Sequence, residues 1–200
     1  MSEKCRPVCY VLTMESPIIT LSAEDAIPDG LEGRWWVAHT RPRNEKALAS
    51  DLRDVGVYCY LPLQERRTRS IRTRRISRSE IPVFPSYLFF NATEEQRHRA
   101  LKTRRVANLL AVRRQDELVR QLRQIHQALL GGVSLRWHPE LKIGDWARVV
   151  DGPLMGVEGI VVRRMSRVRL VLNVTMLGQS VSVEVSDEAI ERMDPPSLSS

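Results

Sequence analysis

Seven arginines, Arg66, Arg67, Arg69, Arg72, Arg74, Arg75 and Arg78, fall within thirteen residues that contain no acid and no lysine. Glu65 and Glu80 bracket the run. Guanidinium groups at this density suit phosphate. Each is planar and permanently charged, pairs bidentately with an oxyanion and stacks on a base. A charge run can also be a plain solvated face, but the choice of arginine throughout favours contact with nucleic acid. Binding of this kind weakens steeply as salt rises. A second basic group, Arg97, His98, Arg99, Lys102, Arg104 and Arg105, reads equally well as a solvated helix face or as a partner contact.

Residue types for catalysis or metal binding are present without the spacing. His39, His98, His126 and His138 are scattered. There is no Gly-rich phosphate loop, no Gly-x-Ser-x-Gly and no His-x-x-x-His. The chain therefore reads as a non-enzyme. Cys5, Cys9 and Cys59 are too few and odd in number for a disulfide framework, and they fit a reducing cytosol. A structural zinc needs four ligands, so Cys5 and Cys9 would have to recruit Cys59 and a histidine such as His39. Free thiols, with no metal or cofactor, are the simpler reading.

The chain has 200 residues, enough for one large or two small domains, and 42% apolar content, enough for packed cores. Lysine and arginine exceed acids by 31 to 24, a net charge of +7. That excess favours a polyanionic neighbour, DNA or RNA, or serves solubility alone. No stretch approaches the ~20 apolar residues of a membrane span. The short apolar run Val8 to Met14 is followed by Glu15 and lacks an Ala-x-Ala site, so it does not read as a signal peptide. A cytoplasmic protein without a membrane partner is expected.

The elements that must position these groups follow from periodicity. Residues 1–33 are dense in proline, glycine and acids and read as a loose extension. Trp35 to Thr40 predicts a strand. Leu48, Leu52 and Val55 predict a helix stopped by Gly56. Tyr58 to Pro62 predicts a second strand. Val83 to Phe90, almost wholly apolar, predicts a strand covered on both faces. Glu94 to Thr103 predicts a short helix and Val106 to Val112 a strand. Leu118, Leu122, Ile125 and Leu129 mark an amphipathic helix ended by Gly131-Gly132. This order predicts an α+β layer over residues 34–131. Residues 132–140 read as a linker. From Leu141 to 194 the pattern turns all-β: Leu170, Leu172 and Val174, then Val181, Val183 and Val185, alternate as half-buried strands do. Several short strands in about fifty residues predict a small barrel. Residues 195–200 read as a tail.

These segments together resemble the NusG family. Trp35-Trp36-Val37 is similar to its opening strand, and Arg43-Asn44-Glu45-Lys46-Ala47 to the start of its first helix. Leu61-Pro62 ends the second strand as in the family. Phe84-Pro85-Ser86-Tyr87-Leu88-Phe89 resembles the Phe-Pro-Gly-Tyr strand, with Ser86 for glycine. Gly144-Asp145 and Asp151-Gly152-Pro153, with Gly159, look like a KOW motif. The resemblance implies an NGN-type antiparallel sheet with helices followed by a small SH3-like KOW barrel, in a monomer. It implies docking of the first domain on the clamp helices of the RNA polymerase largest subunit. Trp36, Phe84, Tyr87 and Phe89 are the residues that would make this contact. Aromatics are efficient anchors for a helical tip. Tyr87 and Phe89 share a strand face and are read as surface contacts; Trp35 and Phe84 read better as core.

The arginine run falls where the family inserts a β-hairpin reaching toward the polymerase lobe and upstream or non-template DNA. The loop Thr175-Met176-Leu177-Gly178 falls where the family binds a small-subunit ribosomal protein, and the barrel is also a site for Rho. Met176 and Leu177 would form that apolar handle, or they are barrel core. The implied function is transcription elongation with antitermination or termination control. The extension, Ser86, the arginine hairpin and Leu177 suggest a specialised paralogue of the RfaH or UpxY kind. The competing reading is a ribosome-associated RNA-binding protein, since KOW units also occur there.

Overall fold

The computed structural model describes residues 27–70, 72–139, 144–164 and 167–194. Most of the extension and the tail lie outside these residues, as do Cys5 and Cys9.

The first unit is built on a four-stranded antiparallel sheet in the order β2-β5-β1-β6. Its strands are β1 (Arg34–Thr40), β2 (Tyr58–Tyr60), β5 (Tyr87–Ala92) and β6 (Val106–Ala111). Helices α1 (Glu45–Arg53) and α2 (Glu94–Lys102) lie on one face. Leu48, Leu52, Leu88, Phe90 and Ala100 are buried together there. The amphipathic helix α3 (Gln115–Leu130) lies on the other, with Leu118, Leu122 and Ile125 packed among Trp35, Val37, Tyr60 and Phe89. A sheet covered on both faces explains why β5 is apolar at successive positions rather than at alternate ones. Gln115 anchors α3 to β1: its Oε1 accepts the Trp35 N–H at 2.7 Å, and its Nε2 donates to the Trp35 carbonyl at 3.2 Å. α2 opens with a capping box, Thr93 and Gln96 satisfying each other's backbone N–H.

Between β2 and β5 the chain makes a separate hairpin, β3 (Leu63–Arg69) and β4 (Ile76–Pro82). It carries the arginine run.

The second unit is all-β. Strands β7 (Arg136–Pro139), β8 (Asp145–Val149), β9 (Glu158–Arg164), β10 (Arg167–Val174), β11 (Gln179–Val185) and β12 (Ile190–Arg192) form one antiparallel sheet, ordered β12-β8-β9-β10-β11-β7. Leu170, Leu172, Val174, Val181 and Val183 share its core, as their alternation predicts. β9 and β10 run so close at Gly159 that an added Cβ would overlap the Val171 carbonyl and sit 3.0 Å from Leu172 Cδ2. Only glycine fits there.

Three local expectations change. β5 begins at Tyr87 rather than Val83, because Ser86 turns left-handed (φ 65) and breaks the extended run. The first helix ends at Arg53, which leaves Val55 outside the apolar stripe and exposed. The stretch read as a linker contains β7, which pairs with β11 and extends the second sheet.

Candidate functional site

The four aromatic anchors expected of the first domain do not form one surface. Phe84 and Phe89 are 1% and 0% exposed and stack edge to face, centroids 6.1 Å apart, beneath α3. They are core, because the face that Tyr87 and Phe89 share is the one α3 covers. Trp36 points the opposite way, with Phe90 and Ala38, and the Arg97 guanidinium lies 5.1 Å from its ring. Arg97 in turn pairs with Glu94. Trp36 therefore cannot join Tyr87 in one contact. Of the four, Tyr87 alone stands half-open on the α3 side of the sheet.

Its surroundings include two residues that the sequence does not link to it. His39 lies opposite Tyr87 across β1 and β5, and Asn108 lies opposite His39 across β1 and β6. The Tyr87 and His39 rings sit 5.1 Å apart at a tilt of 40°. Tyr87, His39 and Asn108 thus make a row across three strands at the end of the sheet, where Tyr87 packs only partly against the core that holds α3's apolar stripe. No sequence motif links them; strand register alone aligns them.

The turn feeding this row is fixed from α1. Glu45 is buried, and its Oε1 accepts the Ser86 N–H at 2.7 Å, while the Thr40 N–H donates to the Ser86 carbonyl at 2.8 Å. Ser86 holds a left-handed backbone that strains any L side chain. Ser86→Gly is therefore expected to raise stability by about 0.5–1 kcal/mol in chemical denaturation. A loss of stability would mean that the Ser86 side chain contributes more than its backbone costs.

The arginine run occupies both strands and the tip of the β3–β4 hairpin. Arg66, Arg67 and Arg69 lie on β3, Arg72, Arg74 and Arg75 in the tip, and Arg78 on β4. All are exposed. Arg67 pairs with Glu65, and that hydrogen bond holds the Glu65 carboxyl below its ordinary range. Glu80 pairs with Lys46 of α1 at 3.6 Å. The two bracketing acids are thus engaged near the foot, and the outer arginines face solvent. In the second basic group Arg97, Arg99 and Arg105 pair with Glu94, Glu95 and Asp51.

In the second domain Met176 and Leu177 lie in a 3-10 turn, Thr175–Leu177, and both are half-buried. Met176 borders a groove whose other walls are Leu110, Val112 and Leu118 of the first domain. Gln121 of α3 holds this turn, donating to Thr175 Oγ1 at 2.8 Å and accepting the Thr175 N–H at 3.2 Å.

Cys59 is buried, which pushes its thiol up to about 12. A thiol held protonated at neutral pH is a poor nucleophile. Among the described residues no three His, Cys, Asp or Glu side chains converge as a metal site.

Residues 33–130 match the family model NusG, described as transcription termination factor nusG. The chain belongs to the NusG family. Three solved structures resemble this chain. "Domain interaction in Thermotoga maritima NusG" is 16% identical, covers 82% of this chain and 98% of that one, and has a TM-score of 0.48. The MjSpt4:Spt5 complex in conformation A is 16% identical over 80% of this chain and 97% of that one, TM-score 0.27. Conformation B is 14% identical with the same coverage, TM-score 0.28. Scores this low mark a distant likeness, and the family assignment rests on residues 33–130. No curated protein matches the chain. NusG proteins are transcription factors rather than enzymes. Among the described residues no helix is long and apolar enough to cross a membrane.

Proposed function

We propose that this NusG protein is a transcription elongation and antitermination factor that grips the clamp helices of RNA polymerase with its first domain. The Tyr87–His39 ring pair, flanked by Asn108 at the open end of the sheet, supports this reading most directly. A tyrosine and a histidine side by side offer a flat apolar contact with polar edges, the composition of a binding hot spot. The arginine hairpin touches upstream or non-template DNA beside that grip. The second domain, through Met176 and Leu177, recruits a small-subunit ribosomal protein or Rho once its turn is free of the first domain. The factor acts by bridging and holding, with no bond made or broken. The departures at Ser86, the hairpin and Leu177 favour a specialised paralogue of the RfaH or UpxY kind, acting in the cytoplasm.

The test is capture of purified bacterial RNA polymerase on immobilised full-length chain. Wild type retains polymerase. Tyr87→Ala with His39→Ala is expected to lose at least about tenfold in affinity, the truncation of one central hot spot. Wild type that ignores polymerase and binds ribosomal RNA would move the protein to the ribosome-associated class.

A further inference from the structure

α3 and the second domain do not meet flush. Between them lies a cavity of about 220 Å³. On the side of the second domain its wall includes Trp146 of β8 with Val171 and Leu172 of β10. Val171 and Leu172 are buried, and Trp146 is half-buried. An indole beside two aliphatic side chains gives a flat apolar seat suited to an aromatic ring.

The polar groups around this seat are unequally committed. Glu117 of α3 is engaged twice: Arg114 pairs with it at 3.3 Å, and Gln121 Nε2 donates to it at 3.1 Å. Glu158 of β9 accepts from Arg148 Nε at 2.8 Å and from its Nη2 at 2.5 Å. Both carboxylates lining the cavity are thus neutralised. Gln124 Oε1 accepts the Glu158 N–H at 2.8 Å, and the amide N–H groups of Gln124 make no hydrogen bond among the described residues. Arg120 also lines the cavity, is exposed, and forms no ion pair among the described residues. What remains open beside the apolar seat is one guanidinium and one amide N–H pair, donors only, and donors of this kind select an anion.

We propose that this cavity is a binding site for a small planar aromatic carboxylate that ties the second domain to the first. The ring lies on Trp146 against Val171 and Leu172, and the carboxylate takes the Arg120 guanidinium and the Gln124 amide. Seams between domains are frequent places for such sites. The volume falls below the range of about 300–1,000 Å³ that suits drug-sized ligands, which limits the occupant to one ring or two fused rings. The site exists only while α3 and the second domain are together, so ligand and closure favour each other by the same factor. Gln121 and Thr175 line the same cavity and already bond each other. A bound ring therefore keeps the Thr175–Leu177 turn closed, and Met176 and Leu177 become available as the carboxylate is withdrawn. That consequence rests on the reading of Met176 and Leu177 as partner-binding residues; the binding of the carboxylate does not.

The test is a heteronuclear NMR titration of the full chain with 2-naphthoate and with its neutral isostere 2-naphthamide, following the Trp146 indole and Gln124 side-chain amide resonances. A fragment of this size is expected to bind with a Kd of about 0.1–1 mM. The neutral isostere binds about fivefold weaker, as does 2-naphthoate to Arg120→Gln, whose exposed position leaves the fold intact. Arg123→Gln binds as wild type, because Arg123 pairs with Asp29 and does not line this cavity. Trp146→Leu weakens both ligands about tenfold, and Trp146→Phe, which keeps a ring, restores most of the loss. Gln127→Ala removes a bond to the Met155 carbonyl that lies outside the cavity. Nuclear relaxation should report a looser second domain in that variant and a return to joint tumbling once 2-naphthoate is added. Equal affinity for the neutral isostere, equal losses from Arg123→Gln and Arg120→Gln, or no shift of either resonance at about 10 mM ligand would each overturn the site. Binding that leaves the tumbling of Gln127→Ala unchanged refutes the tie between domains. A chain that binds 2-naphthoate here but captures no polymerase refutes the transcription reading and leaves the site standing.

Discussion

Phe89→Ala destabilises the first domain by about 3–5 kcal/mol in urea or guanidinium titration followed by tryptophan fluorescence. Phe89 is wholly buried at the centre of β5, opposite Val37 of β1 and Tyr60 of β2, with Phe84 against its edge. α3 closes over it with Leu118, Leu122 and Ile125. Truncation to alanine removes the ring and leaves a void that three elements, the sheet, α3 and the Phe84 turn, cannot all move to fill. The cost therefore combines lost transfer energy with cavity formation. Tyr87→Ala, at a half-open position, leaves stability within about 1 kcal/mol of wild type. Were Phe89→Ala to keep wild-type stability while failing to bind polymerase, Phe89 would be a contact residue and the assignment to the core would be wrong.

Gln121, Gln124 and Gln127, changed together to alanine, should release the second domain from the first. The three lie at spacing three along α3, so they project from neighbouring turns of one flank. Each meets backbone or a hydroxyl of the second domain. Gln121 makes two bonds with Thr175, Gln124 Oε1 accepts the Glu158 N–H at 2.8 Å, and Gln127 Nε2 donates to the Met155 carbonyl at 2.5 Å. At about 0.5–1.5 kcal/mol net for each bond, the four together contribute about 2–6 kcal/mol to holding the domains together. The apolar stripe of α3 that faces the sheet is untouched, so the first domain keeps its own stability. Small-angle scattering should report a larger radius of gyration, and nuclear relaxation should report two units tumbling separately. An unchanged scattering curve would mean that apolar contacts of Leu154 and Val157 hold the seam alone.

Both expectations turn on α3, and α3 also separates what was legible from what was not. The Leu118, Leu122, Ile125, Leu129 period states that a helix exists and that one side is buried. It does not state which sheet face receives that side. The glutamines beside the stripe read as ordinary solvated positions, because an amide looks the same whether its partner is water or a backbone N–H forty residues away. Had a signal been available, it would have been the recurrence of glutamine, rather than lysine or glutamate, at 121, 124 and 127.

The sequence by itself determined the order of strands and helices in the first domain's layer, the change to an all-β second part, the crowding of arginine ahead of β5 and the buried character of β5. Those features are local: they depend on period, on glycine and on charge density over a few neighbours. Tertiary structure decided that Phe84 and Phe89 are core and that Trp36 faces away from Tyr87. It also decided that β7 joins the second sheet and that His39 and Asn108 complete the row beside Tyr87. The physical reason is that a strand's alternation fixes which residues share a face, while only the packing of distant helices fixes which face meets water.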